Sequence, residues 1–283
     1  MRPALLLLLC ALADSFAVRA QPPAPTYISQ TKFNAGQDVV PVYEGWLRNS
    51  NGTFTVVFGY FNRNWKEELV IPAGADNKLE PGPADRGQPT YFLPRRQSWV
   101  FRVEVPADWG NKELVWTLTA HGRSEKAYAT LTPEEELTER IIMTRGNLNP
   151  GDDDPNKPPG IRVDSIPVAT AGRPVSLTAK VVDDGLPKPR IAPQARPAGI
   201  PTAQSNRPTA PGPRGLTVTW FEYRGPARVI FEPVGPIPVV EGQVSTIARF
   251  ADAGTYILRA TANDGALSTT ADIVVTVVSG SSK

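Results

Sequence analysis

The run Thr217-Val218-Thr219-Trp220-Phe221 and, further on, Phe250-Ala-Asp252-Ala-Gly254-Thr-Tyr256-Ile-Leu258-Arg-Ala-Thr-Ala-Asn263-Asp264-Gly265 fix the reading of this chain. From Thr255 onward the residues alternate. Tyr256, Leu258, Ala260 and Ala262 share one face, and Ile257, Arg259, Thr261 and Asn263 share the other. A period of two is strand geometry and places one face in a core. Asn263-Asp264-Gly265 then reads as a tight turn, because these residues tolerate positive φ. The β-branched run Ala271 to Val278 completes a hairpin.

Asp252-x-Gly254-x-Tyr256 resembles the turn that opens the sixth strand of immunoglobulin-like domains. The resemblance implies a tyrosine corner, in which the hydroxyl ties back to backbone upstream. It also implies that Leu258 and Ala179 stand where antibody domains carry their inter-sheet cysteines. Trp220 takes the place of the third-strand core tryptophan. Ala253 to Tyr256 and Asn263 to Gly265 are similar to phrases of bacterial extracellular Ig-like and polycystic-kidney-disease-type modules. Trp220-Phe-Glu-Tyr223 departs from the Trp-Asp-Phe-Gly-Asp-Gly core of the latter.

The expected fold is therefore all-β, with two tandem β-sandwich domains, the second immunoglobulin-like. Residues 1–20 read as a signal peptide, with Arg2, a short apolar run from Ala4 to Ala13, and Val18-Arg-Ala20 before the cleavage point. The sole cysteine, Cys10, falls inside it. The mature chain is then expected to lack thiol chemistry, cysteine metal sites and disulfides. Residues 27–145 are expected to form a first sandwich, with strands near 39–47, 53–61, 67–71, 98–105, 113–120 and 125–131. One short helix is expected at Thr132 to Leu137, with Thr132 as N-cap and Pro133 in the first turn. Glu44-Gly-Trp46 and Phe58-Gly-Tyr-Phe-Asn62 in this half are similar to phrases of secreted bacterial proteins, a likeness that implies a domain and no activity. Residues 146–160 read as a linker and 161–279 as the second domain. The second domain carries an insertion at 187–215 with eight prolines, five cationic side chains and no acid.

The net charge of +2 predicts no strong field toward nucleic acid. No run after residue 20 is apolar enough to span a bilayer as a helix. His121 is the sole histidine and reads as a turn residue, so a hydrolytic triad and histidine metal sites find no support. Trp46, Trp99 and Trp116 lie on strand runs and read as core. Trp65 and Trp109 lie in turns and are the candidate ligand-binding residues, since aromatic faces stack on sugars. Asp152, Asp154, Asp183, Asp184 and Asp264 are candidate calcium ligands, because the chain entry and two loops of an immunoglobulin-like sandwich share one end. That end is expected at the junction with the first domain.

These readings converge on a secreted, periplasmic or cell-surface protein that is not an enzyme. It would bind or space, with surface polysaccharide or another envelope protein as partner and no nucleic acid. The alternative is a carbohydrate-binding accessory module or weak glycosidase built on the first domain.

Overall fold

Hairpins dominate the first half because its apolar, alternating runs are separated by Gly, Asn and Pro turns. A computed structural model describes residues 32–144, 155–166, 168–187 and 215–280. The proposed leader, Asp152, Asp154 and the insertion from 188 to 214 lie outside the described residues. Among the described residues up to 144 there are eight strands: β1 (Val39–Arg48), β2 (Phe54–Asn62), β3 (Leu69–Val70), β4 (Asn77–Glu80), β5 (Tyr91–Phe92), β6 (Arg95–Val105), β7 (Leu114–Ala120) and β8 (Arg123–Ala129). They form sheets in the order β1-β2-β6, β4-β7-β8 and β3-β5. Their core centres on Trp116, whose ring lies 5.7 Å from that of Phe58 and 4.7 Å from that of Phe101. Such tilted pairs add about 1 kcal/mol each beyond burial. The turn between β7 and β8 places His121 and Gly122 at positive φ, the geometry of a two-residue hairpin. His121 bonds Glu67 at the surface.

Nine strands follow: β9 (Gly160–Val163), β10 (Ala169–Thr170), β11 (Pro174–Val182), β12 (Thr217–Arg224), β13 (Val229–Glu232), β14 (Ile237–Pro238), β15 (Gln243–Phe250), β16 (Gly254–Asn263) and β17 (Ser268–Val278). They build two sheets, β13-β15-β11-β9 and β10-β17-β16-β12-β14. The alternation along β16 holds: Tyr256, Leu258, Ala260 and Ala262 are fully buried. Leu258 and Ala179 join the same core, as does Trp220. The Tyr256 hydroxyl donates to the Asp252 carbonyl at 2.9 Å, closing the expected corner. Tyr256→Phe removes that bond and strands a carbonyl, so thermal or urea unfolding should show a loss of about 1 kcal/mol.

The short helix differs from expectation. Pro133–Glu135 form one 3-10 turn, and Thr132 makes no capping bond with its side chain. Backbone partners outside the segment compete with helix formation. The Leu137 amide donates to the Trp46 carbonyl, and the Trp46 indole donates to the Thr132 carbonyl. Gly45 makes room, since a Cβ there would lie 2.6 Å from the Glu135 carbonyl. A separate helix, α1 (Glu139–Met143), follows, capped by the Thr138 hydroxyl. Among the described residues no helix is long and apolar enough to cross a membrane.

The two halves keep distinct hydrophobic clusters, yet they do not stand apart. Tyr223 of β12 belongs to the first half's core, and Phe221 and Ile257 pack against that core. The described residues from Phe33 onward form one compact unit.

Candidate functional site

The outer face of β12, β16 and β17 is where the halves meet. Alternation puts Phe221 and Tyr223 of β12, and Ile257 and Arg259 of β16, opposite the buried face. Instead of meeting water, this face meets the first half. The Tyr223 hydroxyl donates to the Gly87 carbonyl at 2.6 Å. The Thr90 amide donates to the Tyr223 carbonyl, and the Gly225 amide to the Thr90 hydroxyl. Arg259 donates to the Val100 carbonyl. Arg228 pairs with Glu68 at 3.0 Å.

Beside these contacts the surfaces diverge into a cleft of about 870 Å³. One wall is β6 from Arg96 to Arg102, with α1 and the Arg86–Gly87 loop. The other is β12, β16 and the hydroxyl-rich start of β17, Ser268 to Thr270. Five guanidinium groups line it, and four are held by carboxylates. Arg96 pairs with Glu44 at 2.6 Å, Arg102 with Glu139 at 2.6 Å and Arg224 with Asp85 at 2.7 Å. Arg259 makes a two-pronged pair with Asp272 at 2.7 and 2.8 Å and lies 3.9 Å over the Tyr223 ring. The Arg224 bond holds the Asp85 carboxyl below its ordinary range. Burial pulls Arg259 down, but the bonds to Asp272 more than offset it and hold the guanidinium above its usual value. Burial pushes the Tyr223 phenol up to about 12, so it stays a neutral donor to Gly87.

The tryptophan in this wall is Trp99, and its presentation depends on a doubled irregularity. Along β1, Tyr43 pairs with Phe58 and Gly45 with Val57, leaving Glu44 unpaired. Along β6, Phe101 pairs with Phe58 and Gln97 with Tyr60, so Ser98, Trp99 and Val100 bulge opposite Gly59. Trp99 takes φ 58°, a conformation that side chains rarely adopt. Glu44 fills the gap, accepting from the Arg96 guanidinium and from the Trp99 amide. Bulges of this kind re-aim a side chain at functional sites.

The two tryptophans expected to form a ligand surface behave differently. Trp109 is only 6% exposed and packs into the first core. Its indole donates to the Lys112 carbonyl at 2.7 Å, because the Pro106–Lys112 turn curls around the ring. Turn position therefore does not expose it, and this corrects the expectation. Trp65 is 41% exposed, but the Arg95 guanidinium lies 4.4 Å from its ring centre. Neither lines the cleft, whereas Trp99, read from its strand position as core, does. A clue was present in Arg95-Arg96-Gln97-Ser98, a polar run too long for a two-sided core strand.

The acidic residues do converge. Asp264 is buried, and its carboxylate accepts from the Ala266 and Leu267 amides at 2.7 Å and from Asn156 at 3.2 Å. Asp184 accepts from the Lys157 and Leu186 amides, and Asp183 from the Gly185 amide. Burial, then the nearby Asp264 and Asp184, hold the Asp183 carboxyl above its usual range despite the Gly185 bond. Amide donors thus engage one oxygen of Asp183 and both oxygens of Asp184 and Asp264, as is usual in Asp-rich turns, while Asp183 Oδ1 is buried without a hydrogen-bond partner. Among the described residues no group of three or more His, Cys, Asp or Glu is arranged to hold a metal ion. The cluster's place also differs from expectation. It sits at the Thr217 end of β12, paired with Asn263, while the backbone bonds between the halves use the Tyr223–Gly225 end.

No family model and no curated protein matches the sequence. Solved structures similar to it are immunoglobulin-like and surface-layer β-domains. A chimeric titin Z1Z2 shares 12% identity, covering 44% of this chain and 98% of that chain, at a TM-score of 0.25. Surface layer protein SbsC, domains 1–6, shares 13% identity over 83% of this chain and 24% of that chain, at 0.26. The N-terminal eight Ig domains of Down Syndrome Cell Adhesion Molecule share 10% identity over 86% and 27%, at 0.24. Likeness at this level carries no argument about a ligand, so function has to be argued from the cleft.

Proposed function

We propose that this chain is a non-enzymatic binding protein of the extracellular or periplasmic space, and that the cleft between its halves takes a saccharide. The supporting observation is Trp99, partly buried on a strained bulge in a wall where four of five arginines are held by ion pairs. An aromatic face stacks on sugar C–H groups, and the Ser268, Thr269 and Thr270 hydroxyls with Gln97 match a hydroxyl-rich partner. The cleft carboxylates Glu139 and Asp272 are each clamped by an arginine. That suits binding better than general acid catalysis, which needs a carboxyl free to exchange its proton.

The test is intrinsic fluorescence titrated with a panel of soluble glycans. Trp99→Ala should weaken binding about tenfold or more, since loss of a stacking face removes on the order of 1.4 kcal/mol. Trp109→Ala should act on stability instead. Equal affinity in Trp99→Ala and the parent protein would sink the reading.

A further inference from the structure

Of the five guanidinium groups in the cleft wall, one has no carboxylate partner among the described residues. Arg86 makes one side-chain bond, from Nη2 to the Glu104 carbonyl at 2.7 Å. Its neighbour Asp85 is engaged elsewhere, accepting from the Gly87 amide at 3.0 Å and from Arg224 at 2.7 Å. Partial burial pulls the Arg86 guanidinium below its usual pKa. A guanidinium whose one bond is to a carbonyl keeps N–H donors for an anion, and such charge-assisted bonds are stronger than neutral ones.

The platform under Arg86 is rigid. Gln88 is fully buried, and its side chain donates to the Asn77 and Ala84 carbonyls at 3.0 and 2.7 Å. Its oxygen accepts from the Arg86 amide at 2.8 Å. Gly87 is tied across the junction by Tyr223. A loop held from both sides keeps the guanidinium fork in place before a ligand arrives, which lowers the ordering cost of binding. The four other arginines are satisfied, so the cleft wall carries one spare positive charge in a defined position.

We propose that the saccharide taken by this cleft is acidic, with a carboxylate seated on the free edge of Arg86 while a sugar ring meets Trp99. This rests on the reading of the cleft as a saccharide site and narrows its ligand to uronic-acid-bearing chains. A planar carboxylate matches the guanidinium fork, so Lys would replace its charge without its geometry.

The experiment titrates the full mature chain with oligogalacturonate, alginate and hyaluronate oligomers, and with the same oligomers after reduction of their carboxylates to alcohols. Parent, Arg86→Gln, Arg86→Lys and Trp99→Ala proteins are compared at 0.15 and 0.5 M salt, with melting curves to establish that each variant is folded. Attraction to exposed basic segments is common to the parent and the Arg86 variants and is screened by salt. The readout is therefore the difference between proteins. The parent should bind an acidic oligomer about tenfold or more tighter than its reduced form. Arg86→Gln should erase that preference while keeping the weaker, Trp99-dependent binding, and Arg86→Lys should restore only part of it. A reduced oligomer bound as tightly as the acidic one, still lost in Trp99→Ala, would overturn the acidic assignment and leave the saccharide site standing. An acidic preference that survives Arg86→Gln would overturn the seat at Arg86. Absence of binding to every oligomer would overturn both readings.

Discussion

Glu222→Gln should abolish a pH dependence of stability that the parent protein shows between about pH 4.5 and 8. Glu222 is 2% exposed on the core face of β12. One carboxyl oxygen accepts from the Val229 amide at 2.9 Å, and the other is buried without a hydrogen-bond partner. Burial pushes the carboxyl from 4.5 up to about 8, with a further rise from Glu68 across the junction. The sign follows from linkage. In the window between the two values the folded state holds a proton that the unfolded state has released, so raising the pH favours unfolding. The stabilisation is complete below about pH 4.5 and lost once the pH has risen through about 8. One pKa unit corresponds to about 1.4 kcal/mol, so a shift of this size amounts to a few kcal/mol. Urea unfolding from pH 5 to 9 should show the parent falling by that order and the variant nearly flat on this account. The variant should be the more stable protein at pH 9. Parallel curves for the two proteins would mean that Glu222 ionises in the folded state at no cost.

Gly59→Ala should lose both stability and the cleft. A Cβ at Gly59 would sit 2.2 Å from Glu44 Oε1, 2.5 Å from the Gln97 carbonyl and 2.8 Å from the Arg96 guanidinium. The carboxylate is pinned between Arg96 and the Trp99 amide, and the carbonyl is backbone, so neither yields cheaply. Either β6 slides or the Glu44–Arg96 pair breaks. Overpacking of this kind costs about 1–3 kcal/mol. Because the Ser98–Val100 bulge faces Gly59, Trp99 should leave its position, and glycan affinity should fall about as far as in Trp99→Ala. Chemical denaturation and the same titration check it. A folded Gly59→Ala protein with unchanged stability and affinity would show that the bulge does not depend on this packing.

The contrast between Trp109 and Trp99 shows which part of the site was legible. Flanking Pro, Asp and Gly made Trp109 a turn residue, correctly, but the turn closes over its own ring. Trp99 sits within a strand, again correctly, yet three residues there face one on the partner strand. Local pattern gives the element; a bulge shifts the face, and no period-two count registers it. Immunoglobulin-like loop order led to the expectation that Asp183, Asp184 and Asp264 gather, and Asp264 and Asp184 do lie near Asp183. Their hydrogen-bond partners, amides of neighbouring residues, became visible only with the backbone in place. The strand Asn77–Glu80 escaped notice because Asn, Lys and Glu carry weak strand propensity, while pairing with β7 holds it.

The sequence by itself determined the all-β class, the hairpins and the buried face of β16, while the tyrosine corner followed from the resemblance to immunoglobulin-like domains. These rest on near neighbours, where alternation and turn chemistry act over a few residues. Tertiary structure alone decided that the opposite face of β16 lies against the first half, that Arg259 reaches Val100 and that Arg86 is left without a carboxylate. Those outcomes depend on residues more than a hundred positions apart, and on which charges meet once the two halves pack. No local pattern encodes that balance, because an arginine with a partner and one without are the same letter until the partner is in place.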